Sequence, residues 1–177
     1  MPQEIFRDAF PKGRLPYRHW LSREWSSDGA TALVIGINPN DATEMKEDGM
    51  SSFLVDLLSK LKGEFACGKY ILVNCCDWRE RFPGKLEDEK EPIISAKNRG
   101  TIMRMLAKCE FVVASWGTTD YGPKVAKARS DVSATLRKSG KRIICFSPRG
   151  QPIYCSRTNM NSQDGRWSKR PVPWSVV

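Results

Sequence analysis

The stretch TALVIGINPND (residues 31–41) decides the fold, because an apolar run of strand length ends there in a tight polar turn. Three similar runs follow along the chain: KYILVN (69–74), EFVVAS (110–115) and KRIICFS (141–147). All four are almost continuously apolar and rich in Val and Ile, which is typical of strands covered on both faces. The sequence therefore predicts a parallel sheet of four strands.

Segments with helical spacing lie between these runs, at 51–61, 97–109 and 124–140. In the first segment, apolar residues recur every three or four positions, as on one buried helix face. Alternating strands and helices predict right-handed crossovers and an α/β three-layer sandwich. We expect the strand order 2-1-3-4, counting the four runs along the chain, and functional residues at the carboxyl ends of the strands.

Length and composition indicate a single domain. The 177 residues are 40% hydrophobic and 28% charged, which is ordinary globular content. We expect one domain over residues 1–155, in which residues 77–95 form a long surface loop. Residues 156–177 are interpreted as a basic, flexible tail.

The apolar runs and the cysteines predict a cytoplasmic protein with no membrane contact. No apolar run approaches the roughly 18 residues of a membrane span, and MPQEIFRDAF does not resemble a signal peptide. The six cysteines form no CxxC pair, which is typical of free thiols in a reducing compartment and does not suggest an iron–sulfur cluster. We expect a monomer that needs no metal and no cofactor.

The formal net charge of +9 is the one global property that suggests a partner. A surplus of Lys and Arg raises the affinity for polyphosphates through counterion release. Many basic proteins bind no nucleic acid, so the charge alone leaves this partner open.

The turn after the first run, GINPND, holds the first candidate for chemistry. Gly36 allows close backbone approach, and Asn38-Pro39 ends the strand in a sharp turn. Turn formation alone would explain Asn38. However, VIGINP is similar to the first motif of the mismatch-specific and thymine-DNA glycosylase branch of the uracil-DNA glycosylase superfamily. This resemblance implies that Asn38 holds the attacking water during hydrolysis of an N-glycosidic bond.

The second and third runs extend the resemblance. KYILVN resembles the superfamily strand that ends in an Asn, which implies that Asn74 reads the edge of a flipped base. A hydrogen bond that tethers the neighbouring loop is the alternative. EFVVASWG resembles the strand that ends in Trp-Gly, which implies nucleic-acid contacts by Trp116 and Gly117, although Trp116 suits core packing equally well. The following helix N-terminus, with Lys124, would bind a phosphate.

The fourth run ends in FSPRGQ, at the place of the superfamily's second motif. The resemblance implies that Ser147, Pro148, Arg149 and Gly150 form the loop that enters the minor groove. The usual His is absent here, since His19 is the only His in the chain. Gln151 is the nearest substitute for a donor to the base.

The chain as a whole resembles an uncharacterised bacterial and phage family of the same fold. The likeness covers residues 17–155 and rests on YRHWLSREW (17–25), GINPND, Asp48, Asn74, Trp116-Gly117 and a Pro-x-Tyr that ends at Tyr154. It implies a fold and the location of a site, but no established activity.

Further candidates lie in the loop after Asn38. Asp41 and Asp48 would activate water or stabilise a sugar cation, whereas solvated loop carboxylates are the plainer interpretation. Met50 or Phe53 would stack on a flipped base, but Phe53 fits the buried helix face better.

Three functions remain open from the sequence. The first is a DNA glycosylase that flips a base and hydrolyses its N-glycosidic bond without a cofactor. The second is a noncatalytic protein on the same fold that binds nucleic acid or a DNA mimic. The third is a nucleotide- or base-modifying enzyme. The presence of Asn38 and Asn74 favours the enzyme.

Overall fold

The computed structural model describes residues 5–155, 167–168 and 170–174. In these residues the chain forms three α-helices: α1 (Gly49–Leu58), α2 (Asn98–Ala107) and α3 (Pro123–Arg137). The strands are β1 (Phe6–Phe10), β2 (Trp20–Glu24), β3 (Ala30–Gly36), β4 (Cys67–Asn74), β5 (Phe111–Ala114), β6 (Arg142–Cys145) and β7 (Val172–Pro173). The three helices lie at the segments whose periodicity predicts them. None of them is long and apolar enough to cross a membrane.

All seven described strands belong to one mixed sheet, in the order β1-β2-β4-β3-β5-β6-β7. Strands β4, β3, β5 and β6 are parallel to one another. Strands β1 and β2 extend one edge and β7 the other, and each pairs antiparallel with its neighbour. The expectation of a four-stranded parallel sheet of order 2-1-3-4 is therefore wrong, because the sheet has seven strands and both kinds of pairing.

The additional strands carry no continuous apolar run, which is why the sequence pattern misses them. Strand β2 buries Ser22 and Arg23 beside Leu21. Strand β1 buries only Ala9, as is common at a sheet edge, and β7 is two residues long. Apolar periodicity cannot mark a strand whose buried positions are partly polar.

The sheet is covered on both faces. Along β3, Ala32 and Val34 pack in the same core cluster as helix α1, whereas Leu33 and Ile35 pack in the cluster that holds α2 and α3. Because successive side chains of a strand point to opposite faces, this alternation explains the continuous apolar run of β3.

The expected surface loop at 77–95 and the expected tail at 156–177 both contain described residues that pack in the core or pair in the sheet. The loop 77–95 contains a short 3₁₀ helix, Pro83–Leu86, and buries Leu86 and Ile93. Most of the expected tail at 156–177 lies outside the described residues. In its described part, β7 pairs with β6, and Trp167 stacks on Phe146 with ring centroids 6.4 Å apart.

Candidate functional site

A small cavity of about 210 Å³ lies where the parallel strands end. Four segments that follow β3, β4, β5 and β6 contribute to it, as expected for ligand sites at the carboxyl edge of such a sheet. Its lining residues are Ile37, Asn38, Asn40, Glu80, Arg81, Pro83, Trp116, Gly117, Thr119, Tyr121 and Tyr154. The structure thus brings together four of the residues that the sequence predicts for the site: Asn38, Trp116, Gly117 and Tyr154.

The carboxamide of Asn38 is held in one orientation. Its Nδ2 donates to the carbonyl oxygen of Pro39 (3.1 Å) and to that of Glu80 (2.5 Å). The two bonds use both N–H groups of the amide, so a further partner must donate to Oδ1. The contact with Glu80 also joins the loop after β3 to the loop after β4.

Glu80 is the acidic residue among those that line the cavity, and sequence reasoning missed it. Its Oε1 accepts a hydrogen bond from the backbone N–H of Phe82 (2.8 Å), which fixes the side chain against its own loop. Glu80 lies in the loop 77–95, whose many acidic residues give no periodic signal. The only indication in the sequence is that this loop follows a strand end.

Asn74 is buried at the end of β4, directly beside Gly36 of β3. Asn74 is 1% exposed, and the Nδ2 of its side chain forms no hydrogen bond within the described part of the chain. Met50 lies nearby, since its Cε is 3.6 Å from the point that a Cβ at position 36 would occupy. A buried amide N–H without an acceptor is unfavourable, and a bound water, an ion or a ligand would satisfy it.

The two acidic residues predicted as catalytic do not line the cavity. Asp41 forms an ion pair with Arg14 (2.9 Å). Asp48 is the N-cap of α1, where Oδ1 accepts from the N–H of Ser51 (2.8 Å) and Oδ2 from that of Ala42 (3.2 Å). Both carboxylates therefore have structural partners, and their catalytic role stays a prediction.

Three arginines hold the loop that follows Asn38. Arg18 and Arg79 both donate to the carbonyl of Ala42, each at 3.0 Å. Arg23 pairs with Glu47 at 2.6 Å. Burial, together with the neighbouring Arg79, lowers the pKa of Arg18 to about 10. Two of these arginines come from YRHWLSREW, so this motif supports the site without lining its cavity.

The aromatic wall of the cavity is part of the core. Trp116 is buried and packs edge-on against Trp174, with ring centroids 5.8 Å apart. Gly117 has φ +76° and donates its N–H to the carbonyl of Pro152 (2.6 Å). Burial, with Asp48 nearby, raises the pKa of Tyr154 to about 12, so its hydroxyl stays protonated at neutral pH. Trp116 is thus a core residue that also lines the cavity, and its contact with nucleic acid stays a prediction.

The N-terminus of α3 already has a partner within the chain. The carboxylate of Glu87 accepts from the N–H of Val125 (2.9 Å), and Lys124 donates to the carbonyls of Glu87 (2.7 Å) and Glu89 (3.0 Å). The phosphate contact of Lys124 stays a prediction, and a phosphate would have to share this terminus with Glu87.

The remaining predicted site residues do not line the cavity. Ser147 to Gly150 form a turn closed by a bond from the N–H of Gly150 to the carbonyl of Ser147 (2.9 Å), with Pro148 and Arg149 exposed. Gln151 follows this turn and is half-buried. Phe53 is a core residue that packs edge-on against Trp167.

The described residues contain no group of three or more His, Cys, Asp and Glu side chains that would hold a metal ion. The single His is buried, and its Nδ1 contacts Asp77 Oδ2 at 2.8 Å. All six cysteines are free and buried.

These features define an α/β sandwich protein with a small polar and aromatic cavity at the carboxyl edge of its parallel strands. The chain belongs to the family described as "Protein of unknown function (DUF1643)", whose model matches residues 18–154. The matched range includes every residue that lines the cavity. No curated protein and no solved structure matches the chain.

Proposed function

We propose that this protein binds nucleic acid, in the first place DNA, and hydrolyses the N-glycosidic bond of a base that enters the cavity. One observation carries the proposal: Asn38 and Glu80 line the same cavity, and Asn38 is fixed so that only its oxygen can accept a further hydrogen bond. An amide oxygen and a carboxylate are the groups needed to orient and activate water.

In the proposed reaction, Oδ1 of Asn38 accepts a hydrogen bond from a water molecule and holds it near the sugar. The water oxygen bonds to C1′ while the C1′–N bond breaks, and its proton passes to Glu80. The base leaves with the bonding electron pair and takes up a proton from solvent, and Glu80 returns its own proton to solvent. A carboxylate beside C1′ also stabilises the positive charge that develops on the sugar.

The size and the walls of the cavity support a single base as the bound group. Its volume of about 210 Å³ is below the roughly 300–1,000 Å³ of pockets for drug-sized ligands. The rings of Trp116, Tyr121 and Tyr154 line it, and aromatic walls favour stacking on a flipped base. Asn74 does not line this cavity but lies at the neighbouring strand end. Its N–H, which has no acceptor within the described part of the chain, would donate to an acceptor on the base edge.

The surface beside the cavity suits a nucleic-acid strand. The Phe82 ring is 56% exposed, with the Arg81 guanidinium 5.6 Å and the Lys85 ammonium 5.3 Å from its centroid. An exposed aromatic ring with two cations beside it would stack on a base while the cations contact phosphates. Arg81 also lines the cavity, so this surface is continuous with it.

The same surface supports a second candidate, a noncatalytic protein that binds nucleic acid. This function needs Arg81, Phe82 and Lys85 but not Glu80. We also propose that the protein works in a reducing compartment such as the cytoplasm, because its six thiols are free and buried.

The decisive experiment incubates the protein with oligonucleotides that carry uracil, mismatched thymine and a panel of modified bases, and detects released base by mass spectrometry. The test variant is Glu80→Gln, which keeps the size of the side chain and the acceptor for Phe82. The matched control is Glu91→Gln, an exposed carboxylate of the same loop. We expect base release by the wild type and the control and at least a 100-fold loss in Glu80→Gln. Salt-sensitive binding without product from any oligonucleotide would favour the noncatalytic binder.

A further inference from the structure

A second cavity lies between α2 and α3 and shares no lining residue with the candidate site. Its volume of about 540 Å³ is within the roughly 300–1,000 Å³ of small-molecule pockets. Its apolar walls include Ile94, Ile102, Met103 and Val132. Since Met103 is 53% exposed, the cavity is an open groove with apolar surface accessible from solvent.

Asn98 supplies a polar group to this groove. It lines the cavity and is 2% exposed. Its Nδ2 donates to the carbonyls of Asn74 (3.2 Å) and Cys75 (3.0 Å), which fixes the orientation of the amide. Its Oδ1 is buried and accepts no hydrogen bond from the described residues. A buried acceptor without a donor is rare in native proteins, so Oδ1 indicates a partner that brings an N–H or O–H group.

The rim of the groove is positively charged. Arg99 and Lys138 are exposed at the rim and form no ion pair within the described part of the chain. Lys127 pairs with Asp131 at 2.8 Å, so these two charges offset each other. The net charge of the rim therefore favours an anionic group on the ligand.

We propose that the groove between α2 and α3 is a second binding site, for a small amphiphilic anion. The ligand has an apolar ring or chain that packs on Ile102 and Val132, an N–H or O–H that donates to Asn98, and an anionic group near Arg99 and Lys138. The site does not depend on the function proposed above, because the two cavities share no residue.

The test uses 8-anilinonaphthalene-1-sulfonate, which combines apolar rings, one N–H and one sulfonate. Ala134→Trp would fill the groove, because Ala134 is an exposed helix residue that lines it. Ala126→Trp is the matched control, since Ala126 is exposed on the same helix outside the groove. Affinities come from fluorescence titration of the folded proteins, whose native state is checked by near-ultraviolet circular dichroism.

We expect saturable binding by the wild type and by Ala126→Trp, and at least a tenfold weaker affinity in Ala134→Trp. Naphthalene-1-sulfonate, which lacks the anilino ring together with its N–H, should also bind the wild type more weakly. The proposal is overturned if the wild type shows no saturable binding up to about 1 mM, or if both variants bind with equal affinity.

Discussion

The side-chain oxygen of Asn74 lies 2.7 Å from the point that a Cβ of residue 36 would occupy. A Cβ atom in a protein essentially never lies this close to a non-bonded heavy atom. The side chain of Asn74 can therefore take this position only because residue 36 is glycine. The φ of Gly36 is not positive, and the glycine is therefore required for space and not for its backbone conformation. Gly36 of the GINP motif is thus linked by packing to Asn74 at the end of β4.

Gly36→Ala should displace the amide of Asn74. We expect the variant to lose about 1–3 kcal/mol in the free energy of unfolding, as is usual for overpacked interiors. Any base release should fall together with stability, because the amide would no longer lie where it is proposed to contact a base. Gly49→Ala is the control, since a Cβ there meets nothing within 4 Å and the helix gains a better helix former. Denaturant unfolding of both variants measures the difference, and equal stabilities would show that Asn74 moves aside freely.

Asn38→Ala should abolish base release by a folded protein. The substitution removes the oxygen that is proposed to hold water. It also removes two hydrogen bonds of the loop after β3, one of which joins this loop to the loop after β4. We expect a loss of at least about 100-fold, comparable to the removal of one preorganised polar group from other active sites. The oligonucleotide assay measures the rate, and a thermal melt shows that the variant is folded. Undiminished release would remove Asn38 from the mechanism.

The sequence predicts the centre of the fold better than its edges. The apolar runs at β3 and β4 reveal buried strands, because both faces of these strands pack on helices. Strand β2 is not recognisable in this way, because Arg23 is buried there through an ion pair with Glu47 and a bond to the carbonyl of Thr43. Such a strand depends on partners that are distant in sequence, which no local pattern encodes.

The sequence predicts those residues of the candidate site that directly follow a strand. Asn38 and Trp116 follow strands directly, so the topology of the sheet brings them to one edge. Glu80 lies six residues beyond the end of β4, in a loop whose path depends on contacts such as the bond from Asn38 to its carbonyl. Asp48 was predicted for the site because it is a loop carboxylate close to Asn38, whereas its geometry is that of a helix cap.

Asp48→Ala should therefore lower stability. We expect a loss of about 1 kcal/mol in the free energy of unfolding, because the variant removes the acceptor for the N–H of Ser51 in the capping box. Asp56→Ala is the control, since Asp56 is an exposed residue of the same helix whose ion pair with Lys60 contributes little. Unfolding curves provide the comparison. Loss of base release at unchanged stability would instead assign Asp48 to the chemistry.

The buried thiols should make the protein less stable at alkaline pH. Burial raises the pKa of Cys76 and of Cys155 from 9.0 to about 12, and it raises the pKa of the other four thiols as well. Above pH 9 the unfolded chain loses thiol protons that the folded chain retains, so each pH step between 9 and 12 favours unfolding. The stabilisation is complete below about pH 8, where the thiols of the unfolded chain also keep their protons.

Melting temperatures measured between pH 7 and 10.5 should be constant up to about pH 8 and then decrease, following this difference in proton binding. Cys155→Ala should be less stable at pH 7, because it leaves a small void, but its melting temperature should decrease less steeply above pH 9. The native thiols should also react slowly with Ellman's reagent at pH 8, and all six should react in guanidinium chloride. Rapid reaction of several thiols in the native protein would contradict their burial, and a melting temperature independent of pH would contradict the raised pKa values.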